Sequence, residues 1–110
     1  MGLRGYQRVF LRGLAHALQP VVQVGHEGAS DAGAAAIDAA LTTHELIKVR
    51  MHQPQEKRRL AAELAGAAHA ELCGLVGHTA ILYRPHPTQP RLKLPQREGT
   101  GPADPDAQEP

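Results

Sequence analysis

Read from the N-terminus, apolar residues first recur at helical spacing. Tyr6, Val9, Phe10, Leu14, Ala17 and Leu18 share one side of a helix predicted over residues 6–18. Arg4, Arg8, Arg12 and His16 recur every four residues on another side, so one face suits a core and one is strongly basic. Pro20 stops the helix, and Val21-Val22-Gln23-Val24 is a β-branched run that predicts a strand. After Gly25-His26-Glu27-Gly28, Ser30 is placed to cap a second helix, with Asp31 suited to the positive end of its dipole. That helix runs to about residue 43 and buries Ala34, Ile37 and Leu41. The period then changes to two: Ile47, Val49 and Met51 point one way, Lys48 and Arg50 the other, predicting a strand with one buried and one wet face. Beyond Pro54 a third helix is expected over residues 55–70, buried through Leu60, Leu64, Ala67 and Ala68. Two short runs, 71–76 and 80–83, flank Gly77-His78-Thr79 and read as a hairpin.

The order α-β-α-β-α-β-β predicts a single compact α/β domain, a small mixed sheet with helices packed on it. Apolar residues thin out after Arg84-Pro85. The domain is therefore expected over residues 1–87, followed by a flexible, acidic, Pro- and Gly-rich tail over 88–110. With 110 residues there is room for one domain. Its only aromatics are Tyr6, Phe10 and Tyr83, so the core must come from Leu, Val, Ile and Ala.

The net charge of +1 conceals an asymmetry. Residues 1–97 hold all 12 Lys and Arg against seven acids, whereas 98–110 hold Glu98, Asp104, Asp106 and Glu109 and no base. A basic body suits an anionic partner such as nucleic acid. The single Cys73 excludes an internal disulfide, no apolar run approaches a membrane span, and the charged N-terminus does not fit a signal peptide. A soluble, cytoplasmic protein, monomeric in isolation, is expected.

Two glycines in Gly25-His26-Glu27-Gly28 let the backbone turn tightly and approach a ligand, and the following helix start offers unpaired N–H groups to a phosphate. The same tetrapeptide also serves as an ordinary strand-to-helix turn. Arg8 and Arg12 lie in a stretch with no acid before Glu27, which favours a phosphate-contacting surface over a merely solvated one. Lys57-Arg58-Arg59 reads as ordinary solvation. The seven histidines form no H-x-x-x-H pair and have no cysteine at ligand spacing, so no metal or other cofactor is expected. Cys73 sits mid-strand among apolar residues, and no nucleophile elbow, Walker A or dinucleotide fingerprint occurs. No enzymatic activity is expected.

The blocks Leu11-Arg12-Gly13-Leu14-Ala15-His16, Pro20-Val21-Val22-x-Val24-Gly25-x-x-Gly28, His44-Glu45-Leu46-Ile47-Lys48-Val49-Arg50, Val76-Gly77-x-Thr79 and Leu82-Tyr83-Arg84-Pro85 closely resemble, in order, the CRM-domain family. This family is named for chloroplast RNA splicing and ribosome maturation, and its bacterial single-domain members are the YhbY-type proteins. The resemblance spans about residues 3–87. It implies a fold similar to the C-terminal domain of bacterial translation initiation factor 3. The implied function is RNA binding in assembly of the large ribosomal subunit, with ribosomal RNA or its precursor particle as partner. By position it assigns RNA contact to Gly25, His26, Glu27, Gly28, Arg12, Lys48, Arg50 and Arg84. The loop centre is usually polar or basic, and Glu27 departs from that. A carboxylate beside a phosphate is unfavourable unless it turns outward, which shifts weight to the arginines. The alternative is a protein–protein adaptor docking on a ribosomal protein or assembly factor.

Overall fold

Seven elements follow one another in the expected order: α1 (Gly5–Ala15), β1 (Pro20–Val24), α2 (Asp31–His44), β2 (Leu46–Met51), α3 (Lys57–Ala67), β3 (Glu71–Val76) and β4 (Thr79–Tyr83). They come from a computed structural model, which describes residues 2–25 and 30–96. The strand order is β1-β2-β4-β3; β1 and β2 are parallel and the other two pairings antiparallel. A parallel pair needs a crossover, and α2 supplies it. The β3–β4 hairpin turns at Gly77, whose positive φ of 60° suits a tight connection.

Alternation decides which sheet face each residue meets. Val22, Val24, Ile47, Val49, Met51, Ala80 and Leu82 form one core with Ile37 and Leu41 of α2 and Ala61, Leu64 and Ala65 of α3. Their neighbours Leu46, Cys73, Ile81 and Tyr83 face the other way, into a second core with Leu3 and with Leu11 and Ala15 of α1. The sheet is thus covered on both faces, and the expected wet face of β2 is wet only toward Lys48 and Arg50.

Helix α1 corrects the sequence reading most. It ends at Ala15, and its buried side is Gln7, Leu11 and Ala15. Val9, Phe10, Leu14 and Leu18, expected in the core, are 36–58% exposed. The helix is rolled because its basic side has partners on β3: Arg8 reaches Glu71 at 3.8 Å, and Arg12 Nη1 donates to the Cys73 carbonyl at 2.8 Å. Gln7 tolerates burial because its Oε1 accepts from the Arg4 backbone N–H at 2.9 Å and its Nε2 donates to the Pro95 carbonyl at 3.3 Å. A smaller rotation affects α3, where Ala61 and Ala65 replace the expected Ala67, which is exposed.

The expected tail boundary is also corrected. Residues 88–96 are not loose: Leu92 and Leu94 pack on the second core. Their backbone is gathered by Glu45, whose side chain accepts from the N–H of His86 (2.8 Å), Arg91 (3.0 Å) and Leu92 (2.9 Å). The remaining 97–110 lie outside the described residues.

Candidate nucleic-acid interface

Because β1 and β2 are parallel, their C-terminal ends share one edge of the sheet. The His52 N–H donates to the Val24 carbonyl and the Met51 N–H to the His78 carbonyl, both at 2.8 Å, which draws the hairpin turn to the same place. Helices α2 and α3 both start from this edge, so two positive dipole ends issue there. Ser30 Oγ accepts the Gly33 N–H at 3.1 Å and caps α2 as expected. In open α/β sheets, ligands bind outside the carboxyl ends of parallel strands.

Gly25 ends β1 at this edge and is exposed; His26, Glu27 and Gly28 fall outside the described residues. Register aligns Gln23, Arg50, Thr79 and Val76 in one row across the four strands, just inside the edge. Arg50 projects from the α1 side of the sheet, is exposed, and has no hydrogen-bond or ion-pair partner among the described residues. Lys48, two residues back on the same face, donates from Nζ to the Leu18 carbonyl at 3.0 Å. That bond ties the α1–β1 connection to β2 and leaves part of the ammonium free to bind.

Lys57 and Arg58, read from the sequence as mere solvation, belong to the first turn of α3 and so to this edge; neither has a partner among the described residues. Arg59 is paired with Glu56 and Glu63. The strand-then-helix order becomes a clue only once β1 and β2 are known to be parallel, since two parallel strands start their following helices on one side.

The other assigned residues lie elsewhere. Arg8 and Arg12 flank α1 on its β3 side; Arg12 is exposed although one nitrogen is anchored. Arg84 follows β4 at the opposite edge, and its guanidinium is committed internally. Nη1 donates to Asp38 Oδ1 and to the Ala68 carbonyl, both at 2.8 Å, and Nη2 to the Asp38 carbonyl and Thr42 Oγ1, both at 3.1 Å. It clasps α2 to the end of α3. Tyr83 is 2% exposed and offers no ring for base stacking.

Of the three groups with displaced protonation equilibria, Glu45, Cys73 and Tyr83, the last two are buried structural ones shifted upward. Burial pushes the Cys73 thiol up to about 11, in spite of Arg8 and Arg12 nearby, which keeps it protonated. Burial likewise raises Tyr83, helped by the charge of Glu45. Among the described residues no three His, Cys, Asp or Glu gather to hold a metal ion, and no helix is long and apolar enough to cross a membrane.

Residues 3–84 match the family model of the CRS1 / YhbY (CRM) domain. A Haemophilus influenzae protein named "RNA-binding protein" is 36% identical over 93 residues, covering 83% of this chain and 93% of the relative. The Bacillus subtilis "Probable RNA-binding protein YqeI" is 36% identical over 95 residues, covering 84% and 99%. Among solved structures, that of SAV1595 from Staphylococcus aureus superposes with a TM-score of 0.76 at 34% identity, covering 86% of this chain and all of the other.

Proposed function

The chain belongs to the CRS1 / YhbY (CRM) domain family, and from that premise we propose that it binds RNA through the C-terminal edge of β1 and β2, with the basic side of α1 as a second phosphate-contacting surface. One observation carries the placement. Three basic side chains without an internal partner among the described residues, Arg50, Lys57 and Arg58, lie at the end of the sheet where Gly25 and the starts of α2 and α3 are also placed. Such a surface grips phosphates and positions the backbone without reading sequence. Arg84 is not part of it.

We further propose that the RNA is that of the large ribosomal subunit or its precursor particle, and that the protein holds or shields a segment during assembly without catalysis. The names of the relatives support RNA as the ligand; the ribosomal target follows from the family resemblance. The test is titration against protein-free large-subunit ribosomal RNA at physiological salt, beside cosedimentation with precursor particles. Binding to the naked RNA, lost at least tenfold in Lys57→Glu/Arg58→Glu, is the expected result.

The exposed Val9, Phe10, Leu14, Leu18 and Val21 favour a second reading, a docking face for a protein of the particle. Under that reading the chain sediments with precursor particles, ignores naked RNA, and is released by Phe10→Ser.

A further inference from the structure

We infer that the acidic segment 97–110 docks along the basic side of α1 and competes there with RNA; the competition, though not the docking, rests on the RNA-binding reading.

The described part of the chain ends beside α1. Leu92 and Leu94 are fixed on the second core beside Leu3 and Leu11, and the Pro95 carbonyl accepts from Gln7 Nε2 at 3.3 Å. Gln7 lies between Arg4 and Arg8 in the first turns of α1. At Pro95 the chain therefore lies beside the first turns of α1, at Gln7, next to the stripe formed by Arg4, Arg8, Arg12 and His16. Arg4, Arg12 and His16 are exposed and Arg8 half-buried.

The segment beyond residue 96 is complementary in charge to that stripe. Segment 97–110 carries Glu98, Asp104, Asp106 and Glu109 against the single Arg97, and otherwise only Gly, Thr, Pro, Ala and Gln. It has no large apolar side chain with which to build or join a core, so its chemistry toward the domain is electrostatic. Its reach is ample. Its 14 residues span up to about 45 Å when extended, whereas the 11 residues of α1 rise about 16 Å. Exposed ion pairs are individually weak and salt-screened. Tethering beside the target nevertheless gives the segment a millimolar effective concentration, enough for partial occupancy. An occupied stripe is then a competitor for phosphates that lowers RNA affinity at low salt and disappears at high salt.

The experiment compares the full chain with the full-length variant Glu98→Gln/Asp104→Asn/Asp106→Asn/Glu109→Gln. The first readout, backbone and arginine side-chain NMR shifts, involves no RNA. Docking predicts differences concentrated at Arg4, Arg8, Arg12 and His16 at low salt that collapse at high salt; identical spectra along α1 overturn it. The second readout is affinity for a large-subunit ribosomal RNA fragment. The neutral variant is expected to bind about three- to tenfold more tightly at low salt and equally at high salt. Equal affinity at low salt, with wild type binding RNA, overturns the competition. If neither protein binds RNA, the RNA reading fails and the shifts alone decide docking.

Discussion

Arg12 lies across Gly74. A Cβ built at residue 74 would stand 2.5 Å from Arg12 Cδ and 3.2 Å from its Cγ, while Arg12 Nη1 bonds the Cys73 carbonyl next door. The glycine is the seat for the arginine stem that locks α1 onto β3. Gly74→Ala must displace that stem, with an expected loss of about 1–3 kcal/mol in denaturant unfolding. In an Arg12→Ala background the same substitution should be nearly neutral, because nothing remains to clash. A full additive loss in the double variant would contradict this packing.

Glu45 should be the residue that holds 86–96 to the domain. It is 1% exposed, has a positive φ of 66°, and gathers three backbone N–H groups. Glu45→Gln loses the charge and turns an amide NH2 toward N–H donors, at a cost of about 1.5–3 kcal/mol. Hydrogen exchange should show the Leu92 amide losing protection while that of Ile81, in β4, keeps most of its own.

The same contact makes the 86–96 segment acid-sensitive. Burial works to raise the Glu45 carboxyl, but the N–H groups of His86, Leu92 and Arg91 and the Arg91 charge outweigh it and hold it below its ordinary 4.5. A lowered folded value means that the stabilisation is complete above pH 4.5 and is lost as pH falls through the lower folded value. Wild type should release residues 86–96 in that window by amide exchange, and Glu45→Gln should show no such step.

Arg84 should matter for stability and not for RNA. Arg84→Lys replaces a fork that reaches Asp38, Thr42 and Ala68 by a point charge. Unfolding should show a loss of about 1.5–3 kcal/mol. Binding by the folded variant should equal that of wild type; weakened binding with an unaltered fold would return Arg84 to the interface.

The order of elements, the Ser30 cap, the β2 alternation and the hairpin were legible because each depends on local period and turn chemistry. The roll of α1 was not. Phe10 and Leu14 look like core until Arg8 and Arg12 find acceptors on β3, and those acceptors are 61–63 residues away in sequence. The fixing of 88–96 was hidden for the same reason, since Glu45 reads as an ordinary strand-flanking acid until the backbone of Arg91 and Leu92 returns to it. Of the assigned site, Lys48 and Arg50 could be placed on one strand face from alternation alone. That Arg84 turns inward, and that Lys57 and Arg58 share the edge with Gly25, required the tertiary fold.

The most direct test of the interface is the salt dependence of binding to a large-subunit ribosomal RNA fragment, measured for wild type and Arg50→Glu. Wild-type affinity should fall steeply as salt rises, and Arg50→Glu should bind more weakly with a log–log slope reduced by about one or more. An Arg50→Glu variant that is folded and matches wild type in both affinity and slope would contradict the placement of RNA at this edge.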